Sequence, residues 1–279
     1  GWRSVLDVQY VGNRGTGLGV STNYNPIPRQ YLSTLAVRDQ PVIDYLAQQV
    51  TSPFFGVPEY AGTGHASNRL GRNVLMKAYP HFGDITNSQP AGMSWYHSLQ
   101  MMFEKRMSKG FTVQSSYTWS KFMEATAYLN ETDPAPEHVI SDLDFPQRFS
   151  ISGIWELPFG KGRRFGSGMN RWWDALAGGW QLQSWYEGQS GPALGFGNNS
   201  FYGNLHDIVL PISEREPTRW FNTNAGFERQ AGRGLVNNIR MHSTRFTGWR
   251  ADGINNLDSS LFKNIRITER FTTQFRFET

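Results

Sequence analysis

The residues that most often carry chemistry are few in this chain and lie far apart. Its six histidines are dispersed, and no two of them stand at a spacing that would place both on one element as metal ligands. Cysteine is absent, which excludes disulfide bonds and thiolate chemistry and fits an envelope location. The sequence therefore predicts no metal centre of the usual histidine or cysteine type.

The patterns that imitate enzyme motifs are incomplete. Gly188–Pro192 reads GQSGP and nearly matches a nucleophile elbow, but Pro192 stands where the closing glycine should be, and no acid–histidine set accompanies Ser190. The alternating carboxylates of 131–144 lie in a polar connection, with no predicted fold to bring them into a cleft. We therefore predict that the chain is not an enzyme.

Two further segments suggest ligands that the local sequence does not support. The glycine cluster Gly12–Gly19 follows a strand-like segment, but Asn23–Pro28 breaks the helix that a dinucleotide-binding turn requires, so we predict a flexible loop and no cofactor. Five carboxylates between 122 and 144 suggest calcium but lack the ligand spacing of a dedicated loop. An acidic external loop is the favoured interpretation of these residues: Glu131, Asp133, Glu137, Asp142 and Asp144.

The elements that would position side chains are long strands. In the segment 95–121, apolar and polar residues alternate on two arms of about ten residues each, which places one set on each face of a β-hairpin. The turn at 107–110 supplies Gly110, which tolerates a positive φ. Further strands are predicted at 3–11, 145–158, 179–190, 256–267 and 271–279, and a short helix within 31–50.

The connections between these strands alternate in length and character. Long polar connections at 12–80, 121–144 and 191–255 alternate with shorter basic connections at 107–110, 159–178 and 267–270. Bacterial outer-membrane barrels have this asymmetry, with short periplasmic turns and long external loops. The pattern predicts an all-β, antiparallel, up-and-down transmembrane barrel, represented here by about seven strands.

Composition and charge narrow the class further. The 279 residues are 14% aromatic with a mean hydropathy of −0.51, and no apolar run approaches the roughly 18–20 residues of a membrane-spanning helix. The net charge is +4, but the basic residues are scattered among short turns. Because nucleic-acid binding usually concentrates basic residues on one face, we predict no nucleic-acid partner.

One face of the predicted strands suits contact with lipid, since aromatic rings favour the membrane interface and the opposite face is polar. The core of a soluble β-sandwich is the alternative interpretation of the same residues. The predicted lipid-facing residues are Leu99, Met101, Phe103, Val113, Tyr117, Trp119, Trp155, Trp180 and Leu182.

Several stretches, in this order, support a family resemblance: QYVGNRG from Gln9, YPHFG from Tyr79, the hairpin from Tyr96, RFSISGIWELPFGKGRRF from Arg148, GGWQLQSWYEGQSG from Gly178, RWFNTNAGF from Arg219 and LDSSLFKNIRITERFTTQFRFE from Leu257. The chain resembles the carboxy-terminal barrel portion of TonB-dependent outer-membrane receptors of the Oar-like branch. The matching stretches extend along nearly the whole chain.

The resemblance implies a bacterial outer-membrane protein with an amino-terminal plug domain, a TonB box and a barrel of about 22 strands. Neither the plug nor the TonB box is found in 1–279, and the chain starts at Gly1–Arg3 in strand-like sequence without a signal peptide. We therefore expect a partial barrel domain of a larger receptor, or a mature product. The implied partners are outer-membrane lipid, the missing plug, the remaining barrel strands and, through the plug, the TonB complex.

The implied function is uptake or export of a bulky solute or polypeptide. The alternative is a secreted or surface-exposed β-rich structural or adhesive protein that self-associates. Aromatic and histidine side chains on exposed loops are typical contact groups. The candidate binding residues are Tyr60, His65, Tyr128, Phe201, Tyr202 and His206.

Overall fold

The computed structural model describes residues 3–230, 232–267 and 270–279. Within these residues the chain forms twelve strands and three α-helices. In chain order the strands are β1 (Ser4–Asn23), β2 (Gln49–Thr51), β3 (Arg69–Gly71), β4 (Thr86–Ser108), β5 (Phe111–Ala125), β6 (Val139–Ile140), β7 (Gln147–Glu156), β8 (Trp180–Gln189), β9 (Ala193–Leu194), β10 (Phe246–Arg250), β11 (Ile254–Arg266) and β12 (Thr272–Glu278). The helices are α1 (Gln40–Ala47), α2 (Arg72–Leu75) and α3 (Arg171–Ala177).

Eight of these strands form one antiparallel sheet, in which the short β6 pairs only with β5, and we call the other seven the wall. Its spatial order is the chain order, β1-β4-β5-β7-β8-β11-β12, so each strand pairs with the next wall strand in sequence. This is the up-and-down connectivity of antiparallel barrels. Among the described residues the wall is open, with β1 and β12 at its edges.

The β4–β5 hairpin closes at a two-residue turn. Lys109 and Gly110 have φ values of 54° and 77°, the left-handed pair that a tight hairpin needs because its twist matches that of the strands. Lys105 Nζ donates to the carbonyl oxygens of Ser108 at 3.3 Å and Phe111 at 2.9 Å, bracing the turn. The predicted positive φ at Gly110 is confirmed.

The register divides the wall into two faces. Tyr10 pairs with Leu99, and Leu99 with Trp119, so these residues share one face. Gln100, one residue along from Leu99, pairs with Thr118 on the other. We call these the apolar face and the polar face. All nine residues predicted to contact lipid lie on the apolar face: Leu99, Met101, Phe103, Val113, Tyr117, Trp119, Trp155, Trp180 and Leu182.

The glycine cluster Gly12–Gly19 lies inside β1, so the loop predicted for it is wrong. The reason is that β4 begins at Thr86 rather than near Trp95, which gives this segment of β1 a strand to pair with. Gly17 has a positive φ of 68° and lies where the register shifts, as at a β-bulge. Glycine here bends a long strand without ending it.

The other predicted boundaries need smaller corrections. The β7–β8 connection contains α3, which begins after Asn170, whose Oδ1 accepts a hydrogen bond from the Trp173 amide at 3.0 Å. The helix expected within 31–50 is confirmed as α1, in which Leu46 is buried. Of the predicted terminal features, Gly1, Trp2, Thr268 and Glu269 lie outside the described residues.

The long connections 24–85, 126–146 and 190–253 follow strands that run in the same direction, so they gather at one end of the wall. We call them together the cap. Most of the chain's buried apolar side chains belong to the cap, among them Leu46, Ile208 and Trp249. None of the described helices has the length and apolar character needed to span a membrane.

Candidate functional site

Two partly buried ion pairs anchor the cap to the end of the wall. The side chain of Asp144 is 0% exposed, and its Oδ2 accepts from an Arg250 guanidinium nitrogen at 2.6 Å. Its Oδ1 accepts from the Phe122 amide at 2.5 Å. Arg245 pairs with Glu124 of β5 and donates to the Ile140 carbonyl at 2.7 Å. These contacts join the third cap connection to the second and to β5.

Polar contacts continue between the cap connections. The Glu137 carboxylate accepts from Ser243 Oγ at 2.5 Å and from Thr244 Oγ1 at 2.8 Å. The Asn130 side chain accepts from the Arg240 amide at 2.7 Å and donates to the Arg240 carbonyl at 3.1 Å. A backbone hydrogen bond from Ile239 to Ser33, at 2.8 Å, brings in the first connection. The cap is therefore a single linked assembly.

An aromatic cluster fills the interior of the third connection. Phe201, Ile208, Ala225 and Trp249 are buried, and the rings of Phe196, Phe221, Phe227 and Phe246 pack on them. The Phe221 and Trp249 ring centroids lie 4.9 Å apart in an edge-on arrangement, which aromatic pairs favour. This cluster gives the cap a hydrophobic core of its own.

A cavity of about 410 Å³ lies beside this cluster, between β6, β10 and the end of β5 that adjoins the cap. Apolar side chains dominate its lining, including Met123, Ile140, Ile208, Val209 and Trp249. The lining also includes histidine, arginine and serine side chains: His138, His206, Ser243 and Arg245. The volume lies within the range of small-molecule sites in proteins.

Trp249 lines the cavity and also holds a buried donor. It is 6% exposed, and its indole Nε1 is buried without a hydrogen-bond partner among the described residues. A buried N–H without an acceptor costs roughly 1–3 kcal/mol, which the packing around the ring must offset. The mainly apolar lining of the cavity suits an apolar or aromatic group.

The predicted binding residues fall into different places. His206 lines the cavity, and Tyr202 is exposed beside a second, open cavity of about 550 Å³. Phe201 is 5% exposed, so the expectation that it is an exposed loop residue is wrong; it packs in the aromatic cluster. Tyr128 is half-buried in the second connection.

Tyr60 and His65 form a separate group in the first connection. Both rings pack on Phe54, with centroid distances of 4.9 Å for Tyr60 and 5.4 Å for His65. His65 Nε2 lies 3.0 Å from the Pro80 carbonyl. The six candidate residues therefore do not converge on one site.

Three carboxylates of the acidic connection have partners on the other cap connections. Asp133 pairs with Arg29 at 2.8 Å, while Glu137 and Asp144 hold the partners described above. In the described ranges no group of three or more histidine, cysteine, aspartate or glutamate side chains is placed to hold a metal ion.

Sequence reasoning missed the residues that build the cavity, above all Trp249, Met123 and Ile208. A local signal existed, since Phe246 and Trp249 form an aromatic pair in a connection predicted to be polar. That signal does not say what the pair contacts.

An antiparallel up-and-down sheet with one apolar and one polar face, and long connections gathered at one end, defines the chain as an outer-membrane β-barrel protein. Comparison with known families agrees. The model of the outer membrane beta barrel domain family matches residues 1–279, so the chain belongs to this family, and its location is the bacterial outer membrane. No curated protein and no solved structure matches the chain.

Proposed function

We propose that the chain forms the wall and the cap of an outer-membrane receptor that moves a bulky solute or polypeptide across the membrane. We assign this receptor to the TonB-dependent, Oar-like class that the sequence resembles. The observation that carries this proposal is the cap cavity with its mainly apolar lining. A receptor needs such a recognition site on its external loops. In this proposal the chain binds and conducts, and catalyses no reaction.

The size of the cavity limits what it can recognise. A volume of about 410 Å³ accepts one side chain or appendage, not a whole bulky solute. His206 and Arg245 add polar and cationic contacts to the apolar lining. We infer that the cavity binds one apolar group of a larger molecule, such as an aromatic residue of a peptide.

The apolar face of the wall contacts lipid in this proposal, and the polar face lines the path through the barrel. Energy comes from the TonB complex acting on a plug domain, and further strands close the barrel. Support comes from the resemblance and from the alternation of faces, since charged side chains are disfavoured towards the middle of the bilayer and tolerated near its interfaces.

The experiment uses the whole protein in the outer membrane of its own bacterium and a fluorescently labelled tryptic digest of casein as the probe. Val209→Trp adds an indole to the cavity, and Val236→Trp adds the same volume at an exposed position of the same connection. We expect Val209→Trp to reduce probe binding at least about tenfold, the factor that corresponds to 1.4 kcal/mol. The control stays within about twofold of the unaltered protein.

A second arm tests the energy source, by measuring internalised probe after an agent has de-energised the inner membrane. Binding is expected to persist and internalisation to stop. Equal binding by the two tryptophan variants, with an unchanged proteolysis pattern of the cap, contradicts the cavity as the recognition site. Cell clumping or association of the purified protein without internalisation supports the self-associating surface protein instead.

A further inference from the structure

Carboxylates are distributed over the wall in a regular way. Each of the seven wall strands carries one acidic residue, and the register places every one of them on the polar face. These residues are Asp7, Glu104, Glu124, Glu156, Glu187, Asp258 and Glu278. In the described wall strands the apolar face therefore has no negative charge.

The apolar face does carry basic side chains, and at the cap end three of them are adjacent. His97 of β4 pairs with Gly12 on one side and with Lys121 on the other, so His97 and Lys121 are direct neighbours. Arg14 pairs with Trp95, one row closer to the cap. With strands about 4.8 Å apart and rows about 7 Å apart, the three residues occupy a patch roughly 10 Å across. We call Arg14, His97 and Lys121 the basic patch.

The basic patch differs from the basic residues at the other end of the same face. Lys105 and Lys263 there donate to backbone carbonyl oxygens, Lys105 to those of Ser108 and Phe111 and Lys263 to that of Gly178. In the patch, Arg14 contacts only Met93 Sδ, at 3.8 Å, and no ion pair to Arg14, His97 or Lys121 occurs among the described residues. All three side chains are exposed.

Neighbouring groups complete the patch. The ring of Tyr10 lies across Gly12, where an added Cβ would come within 3.1 Å of the phenol oxygen. That oxygen is 2.5 Å from His97 Nδ1, which fixes the imidazole beside Lys121. The absence of a side chain at Gly12 therefore lets Tyr10 orient His97.

An apolar groove of about 400 Å³ adjoins the patch on the same face. Its lining includes Tyr10, Leu99, Trp119 and Pro146, and it reaches His97 and Lys121. Trp119 is largely exposed, as expected of an indole at the membrane interface. Positive charge at the end of an apolar groove is the arrangement that a phosphorylated lipid requires, with phosphate on the cations and an acyl chain in the groove.

We propose that the basic patch and this groove bind a phosphorylated glycolipid of the outer leaflet, with its phosphate on Arg14, His97 and Lys121. Arginine and lysine are the usual phosphate ligands in proteins. This goes beyond solute transport but rests on the proposed function in one respect, that the apolar face contacts lipid and the cap is external.

The test uses the purified whole protein in detergent, with lipopolysaccharide carrying two phosphates as the probe and native mass spectrometry as the readout. The triple variant Arg14→Gln, His97→Gln and Lys121→Gln removes the patch. We expect its affinity for the probe to fall at least about tenfold, because the phosphate loses its charge-assisted hydrogen bonds. Enzymatic dephosphorylation of the probe is expected to have the same effect on the unaltered protein.

The matched control is Arg148→Gln, which removes a positive charge from the polar face, where Arg148 pairs with Glu187 at 2.7 Å. This variant is expected to bind the probe like the unaltered protein. Retained folding of each variant is checked by its heat-dependent shift in gel mobility. Unchanged binding by the folded triple variant, or equal binding of dephosphorylated probe, overturns the proposal.

Two further arms separate the alternatives. Competition by millimolar inorganic phosphate that removes all bound probe contradicts a lipid occupant, since the acyl chains then add nothing. Val209→Trp is expected to leave lipopolysaccharide binding unchanged. The triple variant is expected to leave internalisation of the labelled casein digest unchanged. Failure of the transport proposal is thereby distinguishable from failure of this one.

Discussion

The wall and the cap are stabilised in opposite ways. In the wall, large apolar side chains face outward, and Tyr10 is 68% exposed although it lies in the middle of a long strand. Continuous antiparallel pairing holds the strands together. In the cap, apolar side chains such as Ile208 and Trp249 are buried, and ion pairs such as that of Asp144 and Arg250 hold the connections in place.

Among the described residues, both clusters of buried apolar side chains lie in the cap. The wall exposes its apolar face and so lacks the burial that stabilises a soluble protein; under the proposed function, membrane lipid covers that face. The cap lies in water and must bury its own apolar side chains. Variants that damage one region are therefore expected to leave the other intact.

The largest expected effect is on the cap. Asp144→Ala leaves Arg250 without its carboxylate in a buried site and removes the acceptor of the Phe122 amide, and breaking such a pair typically costs about 3–5 kcal/mol. We expect rapid proteolysis of 126–146 and 190–253, while the heat-dependent gel shift of the barrel is retained.

Asp142→Ala is the matched control for this prediction, because Asp142 is exposed two residues away. It is expected to leave the proteolysis pattern unchanged. Loss of the gel shift in Asp144→Ala would show that the cap and the wall fold as one unit. That result would contradict their independent stabilisation.

The next effect concerns the wall, where two adjacent methionines lie on opposite faces. Met101 pairs with Tyr117 on the apolar face, and Met102 pairs with Ser116 on the polar face. Met101→Arg is expected to destabilise the barrel in lipid vesicles by about 2–4 kcal/mol, the cost of arginine near the bilayer midplane, measured by urea titration.

Met102→Arg introduces the same side chain one position along and is expected to change stability by less than about 1 kcal/mol. Equal destabilisation by both substitutions would mean that the apolar face is covered by protein rather than lipid.

The smallest expected effect is at the base of the cap. Lys77 Nζ lies 2.5 Å from Asp84 Oδ1 and donates a hydrogen bond to it. This bond lowers the pKa of the Asp84 carboxyl below its ordinary value. A hydrogen bond from Asn23 lowers the pKa further, and slight burial opposes both. Because the folded-state pKa is the lower one, this pair stabilises the fold above the ordinary aspartate pKa. The contribution is lost as pH falls through the folded value.

We expect the amides of Tyr24 and Ile85 to lose protection from hydrogen exchange on acidification, by an amount within about 1 kcal/mol for an exposed pair. Exchange is compared after correction for its intrinsic pH dependence. In Asp84→Asn, the loss of protection that depends on the Asp84 carboxylate is expected to disappear. An identical pH response in the variant and the unaltered protein would contradict the role given to Asp84.

The two faces of the wall were largely predictable, because the alternation of apolar and polar residues with a period of two can be recognised within a single strand. Alternation alone placed Met101 and Trp119 on one face, and the register agrees. The extent of pairing was less accessible: Gly12–Gly19 looks like a loop until Thr86–Trp95 is known to run beside it.

The cap could not be predicted from local patterns. Asp144 and Arg250 are distant in sequence, and each looks like an ordinary loop residue until the third connection folds back on the second. Phe201 is likewise an aromatic residue among polar neighbours, and only long-range packing buries it.

One buried amide determines how the first connection can vary. Asn25 is fully buried, donates to the carbonyl oxygens of Tyr79 at 2.9 Å and Gly83 at 2.8 Å, and accepts from the Tyr79 amide at 2.9 Å. The two ends of the connection are thus tied next to the wall, independently of the residues between them. Insertions or deletions in the exposed tip between 53 and 64 therefore leave β1 and β4 in register, which makes this tip a suitable position for an epitope tag.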